Sequence, residues 1–102
     1  MFTRTHTING VVYTEALEAY CDPVTRKPKH RCLVRWPASM SLVEAIADAE
    51  DIASLCSRAL PRYRKSSLAY QRAVRAVDRA AMRVTALRLV HDRLSTPPAT
   101  PP

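Results

Sequence analysis

The chain has 102 residues, 47 % of them apolar, which favours one small folded domain with a modest core over a disordered chain. Sixteen Lys and Arg stand against nine Asp and Glu, a net charge of +7, so an anionic partner is expected: nucleic acid, a membrane surface or an acidic protein. No run approaches the ~18 apolar residues of a membrane span, Met1-Phe2-Thr3-Arg4-Thr5-His6 holds no apolar signal core, and three cysteines without paired spacing do not read as a disulfide framework, so a cytoplasmic location is expected.

The first sharp signal along the chain is Asn9-Gly10, which suits the two positive-φ positions of a two-residue hairpin turn. Strands are expected on either side, at 3–8 and 11–21, both rich in Thr, Val and Tyr. A third strand is expected at 30–36 around Cys32-Leu33-Val34, with Pro37 ending it. Glu15-Ala16-Leu17-Glu18-Ala19 is also helix-prone, but the register favours a strand. With Ile8 facing Val11, Phe2 faces Leu17 and His6 faces Tyr13. With the second turn centred on Arg26-Lys27, Cys21 faces Cys32, Ala19 faces Val34 and Leu17 faces Trp36. One face then collects Phe2, Ile8, Val11, Tyr13, Leu17, Ala19, Cys21, Cys32, Val34 and Trp36. Arg4 and Glu15 fall at its rim. The other face shows Thr3, Thr5, Thr7, Thr14, Glu18, Tyr20, Arg31 and Arg35, with Glu18 opposite Arg35 and Asp22 opposite Arg31.

Ser41-Leu42-Val43-Glu44 reads as a capping box and opens a helix expected over 41–60. Leu42, Ala45, Ala49, Ile52, Cys56 and Ala59 keep helical spacing, and Pro61 stops it. Arg62, Arg64 and Lys65 make the next segment a basic connector. A second helix is expected over 67–94, and 95–102 is expected to be a disordered tail with four prolines. In the second helix Tyr70, Ala73, Val77, Ala80, Val84, Leu87, His91 and Leu94 form a three-four packing seam. Arg72, Arg75, Arg79, Arg83 and Arg93 fall on a stripe nearly opposite. Met82, Leu89 and Val90 lie outside the seam and widen the apolar surface, where a second partner is expected: the sheet, another protein or a second copy of the chain.

Charge is unevenly placed. Residues 61–102 carry nine basic and two acidic side chains, whereas 41–60 carry one basic and four acidic. Glu44, Asp48 and Asp51 on the first helix are expected beside Arg83–Arg93, so pairing can absorb that end of the stripe. Arg72, Arg75 and Arg79 then remain available with Arg62, Arg64 and Lys65, and phosphate contact is their expected use. Cys21, Cys32, Cys56 and His30 have no closely spaced pair of the kind zinc folds use, so no metal or other cofactor is expected. Cys21 and Cys32 read instead as neighbours in the sheet. No Gly-x-Ser-x-Gly, His-Glu-x-x-His or phosphate loop is present, so no catalytic residue is assigned.

The stretch NGVVYTEALEAYCDPVTRKPKHRCLVRW, within residues 8–36, resembles two groups of mobile-element proteins. These are the N-terminal hairpin region of insertion-sequence transposases and the arm-binding domain of phage tyrosine recombinases. Both show a strand, a turn of the Asp-Pro-x-Thr-Gly-Lys kind and a basic strand; here Arg26 stands at the glycine. The catalytic regions of both are absent. The resemblance implies a sheet laid in the DNA major groove, read by Thr5, Thr7, Arg31 and Arg35, with Arg26, Lys27 and Lys29 on its rim.

The expectation is therefore an α+β domain, a three-stranded antiparallel meander followed by two long antiparallel helices. Its expected function is non-enzymatic binding of nucleic acid, duplex DNA ahead of RNA, in a phage or mobile element. The binding set is Arg26, Lys27, Lys29, Arg31, Arg35, Arg62, Arg64, Lys65, Arg72, Arg75 and Arg79. The competing readings are a small phage-type inhibitor, anti-CRISPR-like, that acts on a host nucleic-acid machine by protein contact, and a small ribonucleoprotein subunit.

Overall fold

A computed structural model describes residues 1–95. Its strands are β1 (Phe2–Ile8), β2 (Val11–Cys21) and β3 (Pro28–Pro37), and its helices are α1 (Leu42–Ala59) and α2 (Leu68–Ser95), with a 3-10 turn at Leu60–Arg62. The sheet is antiparallel in the order β1-β2-β3, so the α+β meander expected from the sequence is the fold. The helix-prone stretch at 15–20 is strand. Ser95 closes α2, and the expectation of a disordered tail otherwise falls on 96–102, outside the described residues.

The first hairpin follows from its turn. Asn9 and Gly10 both take positive φ, 50° and 80°, the pair of left-handed positions that matches the twist of two antiparallel strands. Ile8 pairs with Val11, His6 with Tyr13 and Phe2 with Leu17, in the expected register.

The second hairpin corrects the expectation. Cys21 pairs with Pro28, Ala19 with His30 and Leu17 with Cys32. The turn is six residues long, not ten, because Asp22 closes it from both sides. Its N–H donates to the Lys27 carbonyl at 3.1 Å and its own carbonyl accepts from the Arg26 N–H at 2.8 Å. Its carboxylate accepts from the Val24 N–H at 2.9 Å. Arg26 turns the chain with a φ of 58°. A register shift follows between Ala16 and Leu17, where Leu33 is the extra residue of β3 and Ala16 pairs with Val34.

That bulge reverses the facing of the end of β3. Val34 and Trp36 join Ala16 on the face that meets the helices, forming the core with Ala45, Ala49, Val84, Leu87 and Val90. Leu17 lies on the opposite face and is buried differently. Phe2 of β1 and His30 of β3 meet edge to face across the central strand, with ring centroids 5.1 Å apart, and Phe2 is the cross-strand partner of Leu17. Cys21 and Cys32 are not cross-strand neighbours.

The helices begin and end as their local chemistry dictates. Ser41 accepts from the Glu44 N–H at 3.2 Å, and the Glu44 carboxylate accepts from the Ser41 N–H at 3.4 Å, completing the capping box. Ser67 does the same work for α2, its hydroxyl accepting from the Tyr70 N–H at 3.1 Å while donating to the Arg64 carbonyl at 2.6 Å. The alanines of α1 let the helices approach closely, and Val84 and Leu87 of the expected seam are buried against them. Val90, expected outside the seam, is 0 % exposed. It belongs to the core that α2 shares with α1 and the sheet, and not to a partner surface. No helix among the described residues is long and apolar enough to cross a membrane.

Candidate nucleic-acid interface

The basic residues of the sheet are mostly paired. Arg31 reaches the Glu18 carboxylate through Nε at 3.3 Å and Nη2 at 3.0 Å, and its guanidinium lies 5.8 Å from the Tyr20 ring centroid. Lys29 contacts Asp22 at 2.9 Å. That ammonium, with the Val24 N–H behind it, holds the Asp22 carboxyl below its ordinary value of 3.8. Arg35 contacts Glu15 at 3.7 Å, and Arg4 contacts the same carboxylate at 3.6 Å from the other side.

Glu15 was expected at a rim, yet it is 2 % exposed. It occupies the central strand, directly opposite Arg4 on β1 and Arg35 on β3. The two arginine side chains that flank it stay about half exposed while its own is buried. Among the described residues no buried side-chain nitrogen or oxygen lacks a partner, which is the condition for keeping a carboxylate inside a sheet.

The sheet face implied by the resemblance is not assembled as one surface. Glu18 and Glu15 are three residues apart on a strand and point to opposite faces. Arg31 is therefore on the helix-side face with Thr5 and Thr7, beyond the helices, and Arg35 is on the other face with Arg4. The expected pairs Glu18–Arg35 and Asp22–Arg31 are replaced by Glu18–Arg31, Glu15–Arg35 and Asp22–Lys29. Arg26 and Lys27 stand at the hairpin tip, exposed.

The helical cations are arranged differently. Arg72, Arg75 and Arg79 are exposed along α2, and Arg62, Arg64 and Lys65 are exposed in the connector. None of the six makes an ion pair among the described residues. Between the helices Arg88 pairs with Glu50, an acid other than the three expected for that role. Glu44 is occupied by its own cap.

Two clefts organise this end of the molecule. One, of about 360 Å³, is lined by Lys65, Tyr70, Gln71, Val74 and Arg75, so the fold brings a connector cation beside a helical one. The other, of about 350 Å³, joins Arg58 to Arg62 over Leu55 and Ala59. Arg58 was missed by the sequence reading, although its four-residue spacing from Arg62 was the signal for it. A third cleft, of about 420 Å³, runs between β3 and α2 over Cys32, Leu33, Val34 and Met82, with Arg35 and Arg83 in its walls. Met82 is 71 % exposed and Leu89 48 %. Among the described residues no three His, Cys, Asp or Glu side chains converge as a metal site would require. No protein-family model, curated protein or solved structure matches the chain.

Proposed function

We propose that the protein is a non-enzymatic nucleic-acid-binding module of a phage or mobile element, gripping the phosphate backbone with the connector and the adjoining arginines of α2. One observation carries the reading. Arg62, Arg64, Lys65, Arg72, Arg75 and Arg79 are exposed and make no ion pair among the described residues, whereas Lys29, Arg31 and Arg35 each lie against a carboxylate. Cations held without a carboxylate partner are those best able to displace counterions from phosphate. The weight of the interface therefore moves from the sheet to the helices. The preference for duplex DNA no longer has a single sheet face behind it. Arg26 and Lys27 at the hairpin tip add a second point of contact.

The test is a titration of nucleic acid at two salt concentrations with the triple variant Arg62→Ala, Arg64→Ala, Lys65→Ala. Binding weakens, and the slope of log K against log salt flattens by roughly 0.9 for each phosphate of B-DNA that the variant no longer neutralises. An unchanged affinity and slope removes the connector from the interface.

The protein-contact reading, an inhibitor of a host nucleic-acid machine or a dimer, is favoured by Met82 and Leu89, both exposed on α2. Met82 also borders the apolar cleft against β3. A parent protein that binds no nucleic acid and co-purifies with a protein partner selects that reading.

A further inference from the structure

The cleft between the connector and the first turns of α2 differs in chemistry from the other two. The β3–α2 cleft offers apolar walls and arginines but no aromatic ring or amide from α2. The cleft at Arg58 and Arg62 has an apolar floor and no ring. The third brings an aromatic residue, Tyr70, together with Val74, the amide-bearing Gln71 and the basic Lys65 and Arg75 around about 360 Å³. Tyr70 is half-buried at the helix seam, which fixes its position, while Gln71, Lys65 and Arg75 are exposed.

We propose that this cleft takes one unpaired nucleotide of a single-stranded nucleic acid, its base against Tyr70 and Val74 and its flanking phosphates on Lys65 and Arg75. The proposal rests on the phosphate-binding reading above and narrows its partner. A base needs an aromatic or apolar wall for its face and a donor–acceptor group for its edge; a side-chain amide supplies both donor and acceptor. The cleft lies at the small end of the range for ligand sites, where an extruded base fits and a paired one does not. Arg72 and Arg79 continue along α2 from Arg75, so the strand leaving the cleft meets further cations. A stacking ring within a basic track is the arrangement that holds single strands with little sequence preference.

The experiment is fluorescence anisotropy of the full chain with a labelled single strand, the same sequence as a duplex, and a strand of the same length that is abasic at every position. Each is measured for the parent, Tyr70→Leu, Tyr70→Phe and the double variant Lys65→Ala, Arg75→Ala. The parent binds the single strand about tenfold more tightly than the duplex, and removing every base weakens it about as much. Tyr70→Leu loses that tenfold for the single strand with the salt slope unchanged, Tyr70→Phe restores it, and the double cation variant flattens the slope. Equal affinity for abasic and intact strands overturns the base pocket, as does tighter binding of the duplex, and both leave the phosphate reading standing. The fully abasic strand needs no variant, so it decides the matter even where Tyr70→Leu fails to fold. Absence of binding to every strand overturns the pocket and the phosphate reading together.

Discussion

Arg26 is the residue whose backbone and side chain ask for different things. Its φ of 58° lies in the left-handed region that disfavours a Cβ by about 1 kcal/mol or more. An arginine there places a cation at the tip at the expense of local strain, which is the kind of conflict that marks functional positions. Arg26→Gly is expected to leave the denaturation midpoint unchanged or raise stability by up to about 1 kcal/mol. Arg26→Val, β-branched at the same φ, lowers it by about 1 kcal/mol or more. If Arg26→Gly folds as well as the parent and binds nucleic acid less tightly, the tip charge is part of the grip. The same turn responds to acid through Asp22. Lys29 and the Val24 N–H hold its carboxyl below 3.8, so its contribution is complete above that value. It is lost only as pH falls through the lower folded value.

Among the elements, α2 sets the division between core and surface. Its C-terminal half lies in a core shared with both α1 and the sheet, where Leu87 and Val90 are both 0 % exposed. A helix caught between two partners needs a wider apolar stripe than a simple seam, which explains why Val90 lies off the three-four line yet is buried. Met82, two turns earlier and off the same line, borders the cleft against β3 and is largely exposed. Val90→Asp should therefore destabilise the protein by about 3–5 kcal/mol in urea, as an unpaired buried charge does. Met82→Asp should stay within about 0.5 kcal/mol. Equal destabilisation by the two would place Met82 in the fold and remove it as a docking surface. A Met82→Asp variant that also elutes at a smaller size than the parent would identify the helix as a dimer face.

For the whole molecule the consequence is uneven stability. The molecule measures 56 × 37 × 35 Å, and α2, with 28 residues, is by itself about 42 Å long. The core joins the helices to one end of the sheet, at Ala16, Val34 and Trp36. The far end of the second hairpin extends beyond that core and is held by its turn, by exposed ion pairs worth about 0–1 kcal/mol each, and by the Phe2–His30 ring pair over Leu17. Hydrogen exchange should accordingly rank the amides in two tiers. Those at 84–90 and around Ala16 and Val34 exchange only through global opening, whereas those at 22–29 exchange through local opening with far less protection. Uniform protection across both would mean that the hairpin tip is bound to the core more firmly than its neighbours indicate.

The signals read correctly from the sequence were those whose physics is local. Asn9-Gly10 set the first register through two positive-φ residues, Ser41 and Glu44 began α1 through reciprocal hydrogen bonds, and Pro61 ended it. The exposed cations of α2 were legible from helical spacing alone, because a stripe opposite a packing seam has nowhere to go but solvent, and those of the connector from their run after Pro61. Tertiary structure decided what depends on distant partners. Nothing in Asp22-Pro23-Val24-Thr25-Arg26-Lys27 announces that an arginine takes a glycine's conformation. The bulge at Leu33 is placed so that Val34 and Trp36 turn toward the helices, a demand made by residues dozens of positions away. From that one inserted residue follow the separation of Arg31 from Arg35, the burial of Glu15 between two arginines, and the pairing that takes the sheet's cations out of play. A strand's alternation is read from its own residues, but its register belongs to its neighbour, and that is the physical reason the sheet face was misjudged while the exposure of the arginine stripe on α2 was not.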